Sequence, residues 1–594
     1  MKGCKKYIAF AALLSLIVFS SMGITQETRS LSGPVLCMTS LAMTCMGTTQ
    51  ETRSLSGHIF YSGERSGNII VNLYKLSVSP QGRVHRLSKG DIYGEVEPFQ
   101  ILKLEQPGTY TFDNLAPGHY SVIAFMDSDE NKKAGFDPPE PFGWFAALLG
   151  GLWDPIDLTP SSASGCDLKL RVPAIFPKEG RTCEHGALIW KKGLPVLQLW
   201  GTAEERGFAH GYLVGRQIID FFEFYIVEDS WRSAKNYQDT FVPFLERHFS
   251  YPPEFLKECD AVIKGMLASG IDMRVEVLRR DFNRSDLLAV NSYIERRAAF
   301  PGTNPNPSSC TQFAFWGDLT KESELKGGLI AGRNMDGECD IRKVTVSHFL
   351  VFAVEPSEAG RKRWVSTMWP GFVGTISAVN EEGLYSMENA GGSGSGPVPD
   401  GIVPCSWIQR FILEKQGGEA SPESVLNMME PFICSTGGIT AAGSIILWAV
   451  PYQGQDNPAF VYEGGRTGFA VRKPAEVRPT DSHNILASNH HLKYGFDPDR
   501  PHESLGRPIS FSSLWRYETA RHTLEAWSRQ NKSLGFDEAV RLLQQVAHGT
   551  TEYSVIFLAN ERRLFIAVDD LKTDMWDAPY TEWIEFHFGE LFEK

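Results

Sequence analysis

A chain of 594 residues is too long for one hydrophobic core, so at least two domains are expected. Its 42% hydrophobic and 22% charged residues are typical of a globular protein and exclude a chain that is disordered or membrane-spanning throughout. The net charge of −13 argues against a nucleic-acid partner, because phosphate binding depends on clustered lysine and arginine, and no basic run is present.

The N-terminus has the composition of a secretory signal. Three lysines precede an apolar run at residues 7–19, and the small residues Ser20, Ser21 and Gly23 follow it. A membrane span requires about 20 apolar residues, and this run is shorter. The sequence therefore predicts a signal peptide at residues 1–23, export to the periplasm or the medium, and no transmembrane domain after signal removal. A lipid anchor is left open.

The cysteines fit an exported protein without a metal. Export permits disulfides, and nine of the ten cysteines remain if the signal takes Cys4 with it. No Cys-x-x-Cys pair or Cys/His cluster has the spacing of zinc ligands. We therefore expect no metal and no cofactor, while disulfide pairing and oligomeric state stay open.

A polar segment follows at residues 24–57. The nonapeptide Thr-Gln-Glu-Thr-Arg-Ser-Leu-Ser-Gly occurs in it twice, at residues 25–33 and 49–57. A solenoid would need several repeats, so a single duplication in a Ser/Thr-rich stretch favours a tether.

Residues 58–175 have the pattern of β structure. Short β-branched or aromatic runs are separated by turn residues, and the runs lie at 69–74, 110–112, 120–125 and 168–172. This spacing predicts a small all-β sandwich. The stretch from Gly108 to Asp127 resembles the transthyretin-like and carboxypeptidase-regulatory-like modules of exported proteins.

One segment of this module has partial calcium-loop spacing. Asp127, Asp129 and Asn131 alternate like the first ligands of such a loop. The sixth position, where glycine is wanted, is Lys132, and the twelfth is Pro138 instead of an acidic residue. We therefore favour a solvated turn over a calcium site.

Residues 186–594 mix helices and strands. Apolar residues near helical period predict helices at 204–227, 253–267, 286–297, 514–528 and 536–548. After a proline-rich loop that runs into Cys310, the pattern predicts strands at 312–315, 329–331, 344–354, 375–378 and 444–450 and a hairpin at 554–568. Such blocks predict an α+β layered domain.

The same part of the chain has a series of polar motifs but no common catalytic signature. There is no Gly-x-Ser-x-Gly elbow, no phosphate loop and no His-Glu-x-x-His pair. The series comprises Glu205-Arg206-Gly207-Phe208-Ala209-His210-Gly211, Cys310-Thr311, Gly332-Arg333-Asn334-Met335-Asp336, Asn380-Glu381-Glu382-Gly383-Leu384, Glu388-Asn389-Ala390-Gly391, Leu486-Ala487-Ser488-Asn489-His490 and Ser512-Ser513-Leu514-Trp515-Arg516-Tyr517. In this order the motifs resemble the acyl-coenzyme A:isopenicillin N acyltransferase family of N-terminal-nucleophile (Ntn) hydrolases. They resemble more distantly the choloylglycine hydrolase and penicillin V acylase group.

The resemblance implies a four-layer αββα fold and autocatalytic cleavage between Ser309 and Cys310, with Cys310 as the nucleophile. It implies that Asp336 holds the freed α-ammonium group and that Arg333 orients this aspartate and keeps it ionised. Asn389 is expected to donate its side-chain N–H to the oxyanion.

Two further polar residues are expected at the same centre. Asn489 is expected to be a donor or a positioner of the amine. Arg516 resembles a late arginine of the family and is expected to stabilise the charged network.

The implied chemistry is reasonable for a cysteine. A thiol is a strong nucleophile only as thiolate, and its ordinary pKa is about 8.5. Cleavage before Cys310 would free an α-amino group with an ordinary pKa of about 8, which can accept the thiol proton directly or through water. One residue would then supply both nucleophile and base, and no catalytic histidine would be needed.

Each candidate also has an ordinary structural interpretation. Cys310 by itself is more often a core or disulfide cysteine, and Arg333 with Asp336 could form a plain salt bridge. Asn389 could be a turn residue and Asn489 a helix cap. Arg516 could cover apolar surface with its aliphatic stem, and His210 could be a structural histidine. Their combination favours a catalytic site.

The sequence thus predicts a hydrolase of carbon–nitrogen amide bonds that acts on a small N-acyl substrate through an acyl-thioester. One alternative is acyl transfer to an amine acceptor. The other is a non-catalytic exported binding protein, against which the joint presence of Cys310, Arg333, Asp336 and Asn389 argues. The identity of the substrate stays open.

Overall fold

The computed structural model describes most of the chain from Glu51 onward. The described ranges are 51–61, 65–80, 82, 84, 97–128, 130, 132, 140–145, 155–170, 175–231, 233–299, 310–337, 342–478, 482–547, 551–569 and 577–593. The predicted signal, most of the predicted tether, two of the candidate calcium ligands (Asp129 and Asn131) and Ser309 lie outside these ranges.

The first part of the described chain contains strands only. They are β1 (Arg53–Phe60), β2 (Asn68–Leu76), β3 (Gln100–Leu104), β4 (Thr109–Leu115), β5 (His119–Asp127), β6 (Phe142–Trp144), β7 (Ile156–Asp157) and β8 (Leu168–Lys169). One sheet has the order β4-β1-β8, and the other has the order β3-β2-β5-β6 with β7 paired to β5. Buried residues of both sheets, such as Leu55, Val71 and Val122, form one apolar cluster.

The predicted tether of residues 24–57 overlaps the first strand of the structure. Strand β1 begins at Arg53, so the second copy of the nonapeptide contributes residues 53–57 to a sheet. The alternation of Leu55, Gly57 and Ile59 toward the interior explains this, because one face of the strand is buried. The domain limits near residues 175 and 186 stay a prediction.

Helices dominate the next part. The elements are β9 (Arg181–Cys183), β10 (Gly186–Lys191), β11 (Leu194–Gly201), α1 (Ala203–Phe221), a π-helical continuation (Phe222–Ser230), α2 (Ala234–Asn236), a π-helical turn (Tyr237–Phe241), α3 (Val242–His248), α4 (Pro253–Ala268), β12 (Arg274–Val275), β13 (Arg280–Asp281), α5 (Arg284–Asn291), a 3₁₀ turn (Tyr293–Glu295) and α6 (Arg296–Ala299). The predicted helix at 286–297 is therefore divided into α5, the 3₁₀ turn and α6.

Helices α1 and α4 approach closely through glycine. A Cβ atom on Gly211 would lie 1.9 Å from the carbonyl oxygen of Val262, and one on Gly265 would lie 2.0 Å from that of Phe208. Only glycine permits this backbone contact, because any side chain would separate the helices. The close contact explains the glycine spacing in the motif that begins at Glu205.

The last part begins with Cys310. Its elements are β14 (Cys310–Phe315), β15 (Ile330–Asp336), α7 (Arg342–Ser347), β16 (Leu350–Pro356), β17 (Trp364–Met368), β18 (Ser377–Asn380), β19 (Tyr385–Ala390), α8 (Cys405–Lys415), α9 (Pro422–Met429), β20 (Ser444–Ala449), β21 (Ala459–Gly464), β22 (Phe469–Arg472), β23 (Asn484–Ala487), β24 (Glu503–Ser504), β25 (Arg507–Pro508), α10 (Phe511–Arg529), α11 (Phe536–Val546), β26 (Thr551–Leu558), β27 (Arg563–Val568) and β28 (Ile584–His587). Most predicted elements of this part are confirmed.

Two large sheets organise this region. A ten-stranded sheet has the order β22-β21-β20-β19-β18-β17-β16-β11-β10-β9, and a six-stranded sheet has the order β23-β14-β15-β26-β27-β28. Neighbouring strands are antiparallel except for the parallel pair of β11 and β16. The protein is therefore a mixed α/β structure with several sheets.

Side chains of β14 alternate between two environments. Phe313 and Phe315 pack with apolar residues of α10 and α11, whereas Cys310 and Ala314 belong to a cluster that includes the ten-stranded sheet. Gln312 lies on the same side as Cys310, and its Nε2 donates to the carbonyl oxygen of Ile445 on β20 at 3.3 Å. The period of two thus directs Cys310 toward the space between the sheets.

One predicted strand is wrong in its first half. The pattern at 344–354 predicts a strand, but residues 342–347 form α7 and β16 begins only at Leu350. The β-branched residues Val344 and Val346 produced the strand signal, and such propensity is readily overridden by tertiary contacts. Trp369 Nε1 donates to the carbonyl oxygen of Thr345 at 2.9 Å and anchors the helix.

The described ranges share two further properties. No helix in the described ranges combines the length and the apolar content needed to cross a membrane. The cysteines in the same ranges are free thiols: Cys166, Cys183, Cys259, Cys310, Cys405 and Cys434.

Candidate active site

Cys310 is the first residue of β14 and pairs with Met335 of β15 in the antiparallel register. The side chain is a free thiol and only 2% exposed. The same register places Gln312 opposite Arg333, so that β15 brings the predicted arginine alongside the predicted nucleophile. The hairpin of β14 and β15 is therefore the structural basis of the site.

The sulfur of Cys310 contacts the side chains of Arg333 and Met335. Arg333 Nη2 donates to Cys310 Sγ at 3.2 Å, and Met335 Sδ lies 3.8 Å from the same sulfur. Burial and, to a smaller extent, the charge of Asp336 raise the pKa of the Cys310 thiol, while Arg333, a backbone hydrogen bond from Asp336 and Arg516 act to lower this pKa. The arginine and the backbone N–H therefore favour the thiolate that burial disfavours.

Arg333 does not orient Asp336, contrary to the expectation from sequence. Its Nη1 donates to the carbonyl oxygen of Ile376 at 2.9 Å and to Ser377 Oγ at 2.7 Å. With Nη2 on the sulfurs of Cys310 and Met335, the guanidinium points into the space between the sheets. Strand alternation explains the difference, because residues 333 and 336 start from opposite faces of β15.

Asp336 is held by a neighbouring strand. A register shift between Met335 and Asp336 marks an irregularity in the pairing of β15 with β26. Asp336 Oδ1 accepts a hydrogen bond from Thr551 Oγ1 at 2.6 Å. Bulges of this kind commonly redirect one side chain near functional sites. The aspartate also attracts Arg516 electrostatically, so its charge stays part of the Cys310 cluster.

Asn489 and Arg516 contact the backbone of Cys310. The Cys310 N–H donates to Asn489 Oδ1 at 2.9 Å. Arg516 Nη1 donates to the Cys310 carbonyl oxygen, and Arg516 Nη2 donates to Asn489 Oδ1 at 2.7 Å. The nitrogen that cleavage would free is thus already bound by an asparagine that an arginine orients.

Asn389 approaches the same backbone from the ten-stranded sheet. Its Nδ2 donates to the Ser488 carbonyl oxygen at 3.0 Å and to the Cys310 carbonyl oxygen at 3.3 Å. Its Oδ1 has no hydrogen-bond partner among the described residues, although the side chain is fully buried. Buried amides with an unused acceptor are uncommon, and such groups occur at functional sites.

Arg516 reaches the site from α10. The helix begins after Ser510, whose side chain accepts from the Ser513 N–H, and Ser513 Oγ in turn accepts from the Asn489 N–H at 2.9 Å. Burial lowers the pKa of Arg516, and both Asp336 and Cys310 oppose this effect. The first turns of α10 therefore fix Asn489 and Arg516 together.

Other candidates from the sequence lie elsewhere. His210 is buried on α1, where its Nε2 accepts from the Gly371 N–H at 3.0 Å, and burial lowers its pKa to about 3. It is a neutral structural residue. Asp127 Oδ1 accepts from the Lys132 N–H at 3.1 Å, as in a turn. Within the described ranges, no His, Cys, Asp and Glu group is arranged to hold a metal ion.

Several contributors were missed by the sequence analysis. Thr551, Ser377 and Tyr553 come from strands far from Cys310 in sequence, and Tyr553 Oη lies 3.2 Å from Ser377 Oγ. Only Met335 had a signal, because its position between Arg333 and Asp336 places it opposite Cys310 in a hairpin. Single hydroxyl residues in apolar strands have no local pattern that would identify them.

A cavity of about 390 Å³ lies away from this cluster. Leu319, His483, Arg521 and Arg529 are among the residues that line it, and it includes none of the six predicted catalytic residues. The His483 carbonyl oxygen accepts from the N–H of Trp316, just beyond the end of β14 that is opposite Cys310. The cavity is therefore not the candidate site.

Comparisons with known proteins give weak similarities only. No family model and no curated protein matches the chain. A solved structure of a Caenorhabditis elegans N-acylethanolamine-hydrolyzing acid amidase ortholog is similar at 15% identity and a TM-score of 0.30, over 42% of this chain and 93% of that one. A mutant conjugated bile acid hydrolase from Clostridium perfringens is similar at 12% identity and a TM-score of 0.29, over 47% and 96%. Penicillin V acylase from Agrobacterium tumefaciens is similar at 15% identity and a TM-score of 0.29, over 47% and 91%. At these values the similarities support no conclusion about fold or activity.

Proposed function

We propose that the protein is an autoproteolytic cysteine hydrolase of the Ntn type that cleaves carbon–nitrogen amide bonds of a small N-acyl substrate. One observation supports this most strongly. The sulfur, nitrogen and carbonyl oxygen of Cys310 are each contacted by a different polar side chain, namely the buried Arg333, the half-buried Asn489 and the buried Arg516. A core or disulfide cysteine needs no such contacts, whereas a nucleophile that becomes a chain terminus needs a stabilised thiolate and a bound amine.

We also propose the four-layer αββα arrangement for residues 186–594. Contacts of Gln312 and Arg333 with the ten-stranded sheet support the central pair of sheets. The packing of α10 and α11 on the Phe313 side of β14, and of α1 against β10 and β11, supports an outer helical layer on each side.

The first proposed reaction is self-cleavage. The Cys310 sulfur attacks the carbonyl carbon of Ser309, an S–C bond forms, and the N–C bond between the two residues breaks. The thiol proton ends on the released nitrogen, so the step balances without another reactant. Water then hydrolyses the thioester and gives a carboxylate on Ser309, a free thiol and a free α-amine on Cys310. Asn489 Oδ1 would retain the new amine through the hydrogen bond that it already makes.

The second proposed reaction is turnover. The α-amine of Cys310 takes the thiol proton, the thiolate attacks the substrate carbonyl, and the amine of the substrate leaves with a proton. Arg333 would stabilise the thiolate through its contact with the sulfur. Asn389 would offer Nδ2 to the oxyanion, and loss of one such donor typically costs about 3–4 kcal/mol of barrier. Water would release the acyl group from the thioester.

Burial of Cys310 has a consequence for the uncut chain. At 2% exposure the sulfur is out of reach of a molecule in solution. Self-cleavage does not need such access, because its target is the adjacent peptide bond. We therefore expect the uncut chain to be inactive toward external amides and activity to appear only after cleavage.

The test is the intact mass of the purified protein. The wild type is expected to give two fragments that meet at Ser309 and Cys310, and Cys310→Ala is expected to stay whole. Cys259→Ala is the matched control, because Cys259 is an equally buried free thiol on α4, and it should be cut like the wild type. An uncut wild type, or a Cys310→Ala chain that still splits at this bond, would overturn the proposal.

A further inference from the structure

A buried carboxylate binds the backbone of the segment that carries Asn489. Glu463 lies at the end of β21 and is fully buried. Its Oε2 accepts hydrogen bonds from the backbone N–H groups of Leu492, Lys493 and Tyr494, at 3.0, 2.8 and 3.0 Å. Three consecutive N–H groups on one carboxylate oxygen fix a turn firmly, because hydrogen bonds to a charged acceptor are the strong ones.

An arginine connects this carboxylate to the other side of the same segment. Arg472 on β22 donates from Nε to Glu463 Oε1 at 2.7 Å and from Nη2 to the carbonyl oxygen of Leu486 at 2.7 Å. Asn489 lies between Leu486 and Leu492, so the ion pair holds the chain three residues before it and three residues after it. Burial opposes ionisation of Glu463, but Arg472 and His491 keep its pKa below the ordinary value.

We infer that Glu463 and Arg472 are positioning residues that act through Asn489, an inference that rests on the proposed function of Cys310. Among the described residues, the contacts of the pair do not include Cys310. It fixes the segment so that Asn489 Oδ1 lies 2.9 Å from the Cys310 nitrogen, the atom that must accept the thiol proton during self-cleavage. A displacement of about 1 Å in such a contact can reduce a rate roughly 100-fold.

The kinetic experiment needs no knowledge of the substrate. Chains made by cell-free translation are followed on denaturing gels, and the rate of cleavage before Cys310 is measured for Glu463→Gln, Asn489→Ala and the double variant. We expect Glu463→Gln to slow cleavage roughly 10- to 100-fold, and Asn489→Ala to slow it further. The double variant should cleave close to the rate of Asn489→Ala alone, because Glu463 acts through the segment that carries Asn489.

Two further variants separate positioning from general stability. Glu476→Gln is the matched control, since Glu476 binds Lys493 only through its side chain and lies beside the same segment. It should leave the cleavage rate unchanged. Arg472→Lys retains the charge but cannot bridge Glu463 and Leu486 in the same way, and it should give an intermediate rate. A double variant slower than Asn489→Ala by the full factor of Glu463→Gln would overturn the inference.

A second measurement is independent of cleavage. In a Cys310→Ala chain, which stays whole, amide hydrogen exchange at residue 310 reports the hydrogen bond to Asn489. Glu463→Gln should accelerate this exchange at least tenfold, and Glu476→Gln should not. Unchanged exchange would refute the positioning role even if the wild type cuts itself. Accelerated exchange together with an uncut wild type would preserve the positioning role and refute the proposed function.

Discussion

Fully buried arginines occur in two regions of this protein and differ in whether carboxylates bind them. Where α8 meets α4, Arg410 of α8 makes two hydrogen bonds with Glu258, at 2.8 and 2.9 Å, and a third with Glu414 at 2.8 Å. Arg206 of α1 lies 2.8 Å from Glu358 and 3.7 Å from Glu258. Carboxylates thus neutralise both cations.

At Cys310 the buried arginines lack such partners. Arg333 donates to two sulfurs, a carbonyl oxygen and a hydroxyl. Arg516 donates to a carbonyl oxygen, two hydroxyls and the Asn489 amide oxygen. Among the residues that the structure describes, neither guanidinium has a carboxylate within ion-pair distance. Asp336 attracts Arg516 only at longer range.

The difference in carboxylate partners distinguishes arginines that stabilise the fold from arginines that act on Cys310. Removing a cation from water costs several kcal/mol, and a balanced network offsets that cost with nearby anions. A buried cation without an anion keeps its field, and here that field acts on the thiol, the nitrogen and the carbonyl oxygen of one residue. Such unbalanced burial destabilises the fold and is typical of catalytic sites.

The largest effects should come from removing one arginine of each kind. In the uncut Cys310→Ala chain, Arg410→Met removes the cation that Glu258 and Glu414 share and leaves them with the more distant Arg206 and with Arg361, respectively. This loss should lower the free energy of unfolding by about 3–5 kcal/mol. Arg333→Met leaves no buried carboxylate unpaired, and it should change this free energy by less than about 1 kcal/mol, because lost hydrogen bonds are offset by relief from desolvation. Urea unfolding followed by tryptophan fluorescence measures both.

The order should reverse for chemistry. With Cys310 present, Arg333→Met should slow self-cleavage at least roughly 100-fold, because the thiolate loses its cation. Arg410→Met, assayed at low temperature where it remains folded, should cleave within about threefold of the wild-type rate. Equal losses of stability in the two variants would show that Arg333 is a structural arginine like Arg410.

The sequence predicted those features of the Cys310 site that depend on local residue patterns. The position of Cys310 at the start of a strand, the helix that carries Arg516 and the strand that carries Arg333 follow from apolar periodicity and turn signals. The pairing of Arg410 with Glu258 and the contact of Thr551 with Asp336 do not, since these residues are far apart in sequence. The expectation that Arg333 orients Asp336 was wrong, because side chains three positions apart on a strand point to opposite faces.

Glu388 extends the comparison to a buried anion, because its hydrogen-bond partners are neutral side chains and not an arginine. Glu388 precedes Asn389 on β19 and accepts from Gln409 Nε2 and Ser444 Oγ, each at 2.6 Å. Burial raises the pKa of Glu388 from its ordinary value of 4.5 to about 7; Ser444, Cys405 and Arg333 lower this pKa, and Glu295 raises it.

This raised pKa predicts a pH dependence of stability. The Glu388 carboxyl binds its proton more tightly in the folded state than in the unfolded state. The contribution of protonated Glu388 to the free energy of unfolding is therefore fully present below about pH 4.5 and is lost as pH rises through about 7. The difference corresponds to roughly 3 kcal/mol. Glu388→Gln should remove most of the loss between pH 5 and pH 8.5, measured by urea unfolding of the uncut chain, with Glu476→Gln as a surface control. A dependence of the same size in Glu388→Gln would assign it to Glu295 or to another group.

The smallest expected effect tests how much Asp336 depends on its neighbour. Thr551→Val keeps the shape of the side chain but removes the hydroxyl that donates to Asp336 Oδ1 at 2.6 Å. A hydrogen bond to a carboxylate contributes about 1.5 kcal/mol, so self-cleavage should slow roughly tenfold. Thr551→Ser restores the donor and should restore the rate. If valine and serine give the same rate, the position of Asp336 is set by the irregular pairing of β15 with β26 and by its attraction to Arg516, and the hydroxyl contributes nothing to the reaction.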